Sequence, residues 1–224
     1  MKIRPVTAAD AAACSRIFFD AFEALATRHS FPIEAGSREF ADFQMNSMLA
    51  TEGVTGLVAE RDGEIIGSAF ADERSAIVGI GPVTVDPAVQ DAGVGRTMME
   101  ALLGRAQERG AAGVRLVQTA YHYRSFALYA KLGFAVREPL SVFQGDARGV
   151  GPSDRSVRPA SEADAGACNA LCRRVHGHDR AMELAAWTGL GSARVVEQAG
   201  QITGYATGFG YGWHAVGENN DDII

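Results

Sequence analysis

The residues from Val83 to Arg96, VTVDPAVQDAGVGR, have the types and spacing of an anion site. An extended apolar run, Val83 to Val85, meets the turn former Asp86-Pro87. Two glycines then open a helical pattern in which Met99, Leu102, Leu103 and Ala106 recur at i, i+3, i+4 and i+7. A strand, a glycine-bearing loop and a helix start in this order leave several backbone N–H groups unpaired beside the positive end of the helix dipole. Such a site suits a phosphate, and in particular a pyrophosphate. Gly93 and Gly95 lack the Cβ that would hold a ligand off the backbone, and Arg96 adds a charged donor. No Gly-Lys-Ser/Thr follows, so the loop is not a P-loop. The three-glycine fingerprint of the dinucleotide folds is a poor match as well.

A second group of residues lies downstream, Leu128-Tyr129-Ala130-Lys131-Leu132-Gly133-Phe134. Taken alone, Tyr129 reads as a half-buried aromatic on an amphipathic helix. Taken with the loop, the pair has a known counterpart. Gln90-x-x-Gly93-x-Gly95, preceded by Val-Asp-Pro, resembles the acyl-CoA signature Gln/Arg-x-x-Gly-x-Gly/Ala of the GNAT superfamily of N-acetyltransferases, and the second group resembles that family's tyrosine motif. The resemblance covers about residues 1–145 and implies an α/β (α+β) GNAT fold, a mixed, mostly antiparallel sheet flanked by helices. It implies acetyl-CoA as cosubstrate and transfer of its acetyl group to a primary amine by direct attack.

Site residues follow from the same resemblance. Backbone groups of Val83, Thr84 and Val85 would hold the pantetheine arm like an extra strand, with an N–H there polarising the thioester carbonyl. The loop Gln90, Asp91, Ala92, Gly93, Val94, Gly95 and Arg96 would hold the pyrophosphate, and Tyr129 would protonate the departing sulfur. Seven residues before the tyrosine, where many members have Asn, this chain has His122; Ser125 and Arg124 can share that contact. Gly81-Pro82 predicts a break in strand pairing nearby, since Pro cannot donate to a ladder and Gly weakens one. For the general base, the strand Ala76 to Val85 carries no carboxylate, and Asp72 and Glu73 at the end of the preceding strand are the nearest candidates. A water chain or an amine that arrives neutral would also serve. Phe22, His29, Phe31 and Phe43, on the first two helices and their loop, are the candidates for the substrate side. A non-catalytic acyl-CoA-binding sensor using the same pocket is the alternative from another class.

The elements that position these residues can be read in order. Ile3 to Pro5 predicts a short strand, with Thr7 or Asp10 as a helix cap. A helix through Ile17, Phe18, Ala21, Phe22 and Leu25 follows, then a loop from Thr27 to Ser37, then a helix over about Arg38 to Ala50 burying Phe40, Phe43, Met48 and Leu49. Leu57 to Phe70 predicts a hairpin about Asp62-Gly63. Further strands are expected at Ala76–Val85, Val114–Val117 and from Phe134, with a short helix from about Arg124 to Leu132.

The remainder repeats the beginning. Val157 to Cys168 parallels Ile3 to Cys14 at an offset of 158 − 4 = 154, and Val195 to Ala206 parallels Val58 to Ala69 at 204 − 67 = 137. This predicts an internal duplication: a catalytic domain at 1–145, a linker at 146–154 and a partial, degenerate second GNAT-like domain at 155–224. At offset 137 the counterpart of Pro82 would be Asn219, so the second copy should lack the glycine loop and the tyrosine motif. The natural chain is expected to continue past Ile224; the alternative is a half-domain docked on the first copy or on a second chain, a homodimer.

Composition narrows the classes. The 224 residues are 47% hydrophobic and 21% charged, as in a globular protein. A net charge of −6 without a basic cluster argues against nucleic acid as a partner. No apolar run approaches the ~20 residues of a membrane span, and Met1 to Pro5 lacks the apolar core of a signal peptide. Three cysteines do not make a disulfide framework, so a cytoplasmic protein is expected; the family resemblance implies a small-molecule or peptide amine as its substrate. Cys168, Cys172 and His176 share a helix face with His178 nearby. Yet Cys168 repeats Cys14, and no paired C-x-x-C spacing is present, so buried small residues are the simpler account and no metal is expected.

Overall fold

Arg4, Thr7 and Asp10 join the first strand of the chain to its first helix. The Asp10 carboxylate accepts from the Thr7 N–H and hydroxyl, each at 2.8 Å, and from both terminal nitrogens of Arg4, each at 2.8 Å. Arg4 Nε donates to Glu60 at 2.7 Å, which adds the second strand to the knot. The Arg4 guanidinium holds the Asp10 carboxyl well below the usual carboxylate range.

The computed structural model describes residues 1–34, 36–140, 154–189, 191–208 and 213–223. They form two units, Met1–Glu73 with Ile77–Arg137, and Arg74–Ala76 with Glu138–Ile224. The first unit runs β1 (Lys2–Pro5), α1 (Ala11–His29), α2 (Arg38–Ala50), β2 (Val54–Arg61), β3 (Glu64–Asp72), β4 (Ile77–Val85), α3 (Val94–Glu108), β5 (Gly113–Arg115) and α4 (Tyr123–Lys131). Its sheet has the order β1-β2-β3-β4-β5, antiparallel except for β4–β5. This is the mixed, mostly antiparallel sheet that the sequence predicts.

Strand alternation sends side chains to two cores. Ala69, Ala71 and Val78 meet Val94, Met98, Met99 and Leu102 of α3 on one face. Phe70 and Val58 meet Cys14, Phe18 and Phe19 of α1 and Ala41 and Met45 of α2 on the other. The β2–β3 hairpin closes over Asp62 and Gly63, both at positive φ (54° and 85°), as a two-residue turn of primed type requires.

Three expectations need correction. α2 buries Ala41 and Met45, while Phe40 and Phe43 are exposed, because the small Ala41 lets that face approach α1 and turns the two rings outward. α1 continues to His29, ending on Ser30 at positive φ, where a loop from Thr27 is predicted. β5 covers only Gly113–Arg115, and Phe134 to Val136 form no strand, although Phe134 packs on the α3 core.

The second unit contains β6 (Ser156–Pro159), α5 (Ala165–His176), α6 (Ala181–Gly189), β7 (Arg194–Gln198), β8 (Gln201–Ala206) and β9 (Ala215–Gly217), with an antiparallel sheet β6-β7-β8-β9. Arg158 grips Asp164 at 2.8 Å through both terminal nitrogens and reaches Glu197, as Arg4 grips Asp10 and Glu60. The hairpin turn is again a positive-φ pair, Ala199 and Gly200. β9 pairs Val216 with Tyr205 as β4 pairs Thr84 with Ser68, so the offset falls from 205 − 68 = 137 to 216 − 84 = 132. Pro82 thus corresponds to His214 and not to Asn219, because the connection before β9 is five residues shorter. The predicted linker lies outside the described residues except for Asp154.

Gly67 on β3 sits where a Cβ would come within 2.9 Å of the Thr84 carbonyl oxygen and 3.0 Å of Met98 Cε. A Cβ at Gly104 in α3 meets nothing within 4 Å. Gly67→Ala should therefore cost about 1–3 kcal/mol, and Gly104→Ala should stabilise by roughly 0.5–1 kcal/mol. Urea denaturation followed by far-UV circular dichroism checks both signs.

Candidate active site

β4 carries two edges with different fates. Toward β3 it stays paired through Val85, with a register shift where Gly81-Pro82 sits opposite Phe70. Toward β5 it is paired only over Ile77–Gly79. Beyond that point, from Ile80 to Val85, no described strand pairs with this edge. The break in pairing expected at Gly81-Pro82 is therefore present.

From the end of this edge the chain passes to the start of α3. Gly93 is the N-cap at φ 79° and ψ 1°, a conformation that strains any residue with a side chain, and a Cβ there would project into open space. Thr97 N–H closes the first turn on Gly93 O at 3.0 Å. The amides of Val94, Gly95 and Arg96 precede that bond and have no helical acceptor. Gln90 Nε2 donates to Val85 O at 3.2 Å, fixing the loop to the end of β4.

α4 is held against the same loop. Arg124 donates to Gln90 Oε1 at 3.3 Å and pairs with Asp91. A Cβ on Gly95 would lie 3.6 Å from Val85 Cγ2 and 3.7 Å from Leu128 Cδ2, so the helix start stands between β4 and α4. Tyr129, one residue on from Leu128, packs on the α3–β4 core with its ring edge-on to Phe134, centroids 5.9 Å apart. Burial raises the Tyr129 hydroxyl above its ordinary pKa, so it stays protonated at neutral pH.

The remaining predicted residues have other tasks. Thr84 is buried with Oγ1 3.1 Å from Ser68 Oγ, so only its backbone is available to a ligand. His122 caps α4, and its carbonyl accepts from Ser125 Oγ at 2.9 Å and Gln118 Nε2 at 3.1 Å. The Ser125 hydroxyl is thus engaged locally. Burial, then the charges of Arg124, His29 and Arg28, keep the His122 ring neutral. Arg96 reaches Glu100 at 3.4 Å from the exposed face of α3.

Glu73 is the clearest departure. Its carboxylate accepts from Arg105 Nε at 2.6 Å, Arg105 at a terminal nitrogen at 2.9 Å, Arg109 at 3.1 Å and Thr55 at 3.1 Å, while its side chain is 4% exposed. Burial alone would raise its pKa, but the Arg105 and Thr55 hydrogen bonds and the two arginine charges outweigh it, and the carboxyl is held below its ordinary value. With its oxygens occupied, Glu73 pins β3 to α3 and is not placed to take a proton. Glu73, one of the two expected candidates for the general base, is thus a structural ion-pair residue instead.

His29 and Phe31 gather with three residues that sequence reasoning missed. The Phe31 ring stacks on Tyr121 at 4.2 Å and 1°, and His29 lies 5.3 Å from it. Glu34 accepts from Tyr121 Oη at 3.2 Å and Thr119 at 3.0 Å. A carboxylate edged by aromatic rings is a cation-binding combination. Phe22 pairs with Phe18 against the core and Phe43 faces solvent, so neither joins the group. No local pattern marks Glu34; its partners are 85 and 87 residues away.

The sequence model of the acetyltransferase (GNAT) family matches residues 13–134. The chain belongs to that family, an acyltransferase family by activity. Similar solved structures share the fold. A variant of the BH1408 protein from Bacillus halodurans is 18% identical with a TM-score of 0.57, covering 64% of this chain and 99% of that one. The ribosomal-protein-S18-alanine N-acetyltransferase from Escherichia coli is 24% identical with a TM-score of 0.50, covering 61% of this chain and 79% of that one. AAC(6')-Iy, in complex with the bisubstrate analogue CoA-S-monomethyl-acetylneamine, is 14% identical with a TM-score of 0.51, covering 65% of this chain and 98% of that one. A comparison with curated protein sequences finds no match. Among the described residues no helix is long and apolar enough to cross a membrane.

Glu73→Gln should lower stability by about 1–3 kcal/mol at pH 7, since it leaves buried donors poorly matched. Because the folded-state pKa of Glu73 is depressed, its contribution is present above the unfolded value and is lost as pH falls through the folded value. The gap between wild type and variant in urea denaturation should therefore shrink below about pH 4.

Proposed function

We propose that the chain is an N-acetyltransferase that moves the acetyl group of acetyl-CoA to a primary amine by direct attack. The observation that carries this reading is the unpaired β4 edge ending at the open N-terminus of α3, with Tyr129 packed beside both. Acetyl-CoA supplies an acetyl thioester when bound. On this reading the backbone of Val83 to Val85 takes the pantetheine arm along the free edge, and an N–H there steadies charge on the carbonyl oxygen. The loop from Gln90 to Arg96 receives the pyrophosphate through the amides of Val94, Gly95 and Arg96. The residues fit such a group, since the space beyond Gly93 is open and Arg124 and Gln90 brace the loop from outside.

Tyr129 gives its proton to the departing sulfur and stays protonated between turnovers because it is buried. The amine loses its proton to water, no carboxylate of this chain being assigned as base. Glu34, with Phe31 and Tyr121, attracts the acceptor as a cation before that loss. The ribosomal-protein enzyme and AAC(6')-Iy, both of like fold, go with a protein and an acetylneamine analogue, molecules of very different size, so for this chain the acceptor is assigned by class alone, a small-molecule or peptide amine in the cytoplasm. We further infer that the second unit is a partial copy of the first, with the roles of catalysis and support divided between 1–145 and 155–224. The recurrent arginine–aspartate grip and hairpin turn support that division.

Calorimetric titration should show acetyl-CoA binding to the wild type and none to a Gly93→Glu, Gly95→Glu double variant that keeps its melting temperature. A wild type that fails to bind acetyl-CoA would overturn the reading. Tyr129→Phe should bind acetyl-CoA within a few-fold of wild type and lose about 10²-fold in kcat across an amine panel. If binding is intact in both and neither releases free CoA, the protein is a sensor and not an enzyme.

A further inference from the structure

The second unit holds a group of donors that acetyl transfer does not use. α5 presents Cys172 and His176 one turn apart, and His214, just before β9, reaches the same place. Their ligand atoms lie within 4.8 Å of one another. Cys172 Sγ is 3.9 Å from His214 Nε2, and the His176 and His214 rings are 5.3 Å apart. Tyr205 Oη stands 2.8 Å from His214 Nε2, and Cys172 is fully buried. Across a tetrahedral zinc ion a sulfur and a nitrogen ligand sit about 3.5 Å apart, given bonds of about 2.3 and 2.05 Å. The Cys172–His214 pair is within a few tenths of an ångström of that, and His176 is exposed, so a change of its side-chain torsions closes the rest.

Comparison of the two units isolates the group. Cys172 and His176 fall at 172 − 154 = 18 and 176 − 154 = 22, the places of Phe18 and Phe22, and His214 falls at 214 − 132 = 82, the place of Pro82. In the first unit these places are apolar, and the two phenylalanine rings touch at 4.9 Å. In the second, each carries a sulfur or nitrogen donor. Packing a helix on a sheet needs only the apolar set, so convergence of three donors from two elements calls for a ligand. One thiolate and two imidazoles are the donor set of zinc. The nearby cation Arg180 is offset by Glu183, which it meets at 2.8 and 3.1 Å.

We propose that Cys172, His176 and His214 bind one zinc ion, with the Tyr205 hydroxyl beside the fourth position. The Cys172 thiol releases its proton to solvent on binding, and both imidazoles coordinate in the neutral form. The ion joins α5 to the β8–β9 edge in a unit whose core is small: Leu171, Leu184, Val195 and Val216 are its chief buried aliphatics. Small cores gain most from such a clip.

The test uses the full chain. After zinc loading and dialysis, metal analysis should give one zinc per chain. Cobalt(II) added to the metal-free protein should give tetrahedral d–d bands together with a thiolate-to-cobalt charge-transfer band. Cys172→Ser should lose the charge-transfer band, and His214→Gln should weaken zinc retention by more than about tenfold. No retained zinc together with no cobalt band in the wild type overturns the proposal, and so does a Cys172→Ser protein that keeps the charge-transfer band. The wild-type cobalt spectrum decides the matter even if a variant fails to fold.

Discussion

β4 keeps its β3 partner to its end and gives up its β5 partner after Gly79, and the candidate site depends on this divided pairing. A strand buried between two neighbours would have no backbone groups to offer. A strand released on both sides would not be held straight. The register shift at Gly81-Pro82 lets β4 bend while the Gly67–Val85 and Ala69–Val83 pairs hold its last residues in place. Gly67 belongs to the same constraint, because only a residue without Cβ lets the Thr84 carbonyl and Met98 close over it. Glu73 ties the end of β3 to Arg105 of α3 and to Arg109 at its C-cap, so the helix that presents its N-terminus is anchored near its C-terminus. The two ends of α3 thus have separate tasks.

That division explains what could be read from the sequence. The glycine loop was legible because what sets it apart is backbone conformation, and glycine is the residue that marks backbone conformation and close approach. The hairpin at Asp62-Gly63 and the cap at Thr7 and Asp10 were legible for the same local reason. Glu73 was not, because the role of a carboxylate is set by what lies around it, and its partners are 32 and 36 residues further on. Glu34, Thr119 and Tyr121 were invisible for a like reason, since the fold alone brings them together. On α2, Met48 and Leu49 pack on the core as expected, but Phe40 and Phe43 do not. Large rings suggest a core face by their area, whereas the small Ala41 marks the side that approaches α1.

The duplicated pattern shows where a sequence offset stops being a guide. Offsets of 154 and 137 each hold within their segments, and the arginine grip, the buried cysteine and the hairpin turn recur at the expected places. An offset carried past a deletion assigns the wrong partner, and strand register corrects it. The pairing of Tyr205 with Val216 moves the counterpart of Pro82 to His214. Cys172, His176 and His214 meet in the fold, and that correction sets them at the places of Phe18, Phe22 and Pro82, which spacing along the chain could not show.

The two units share an arginine–carboxylate grip and a positive-φ hairpin turn, and differ in what fills the space between helix and sheet. The grip of Arg4 on Asp10 and Glu60 depends on charge and hydrogen-bond geometry, which tolerate little change, and it recurs as Arg158, Asp164 and Glu197 with distances of 2.6–3.1 Å against 2.7–2.8 Å. The contacts between helix and sheet depend on filling volume, which aromatic rings or a set of polar donors can both do. A frame held by the grip can accept donors in place of Phe18 and Phe22 because the helix is already anchored at its first turn. The polar residues that result are confined to one patch of α5 and the approach to β9. There the cost of burying Cys172 and Tyr205 with their donors is offset by the partners each finds in His214.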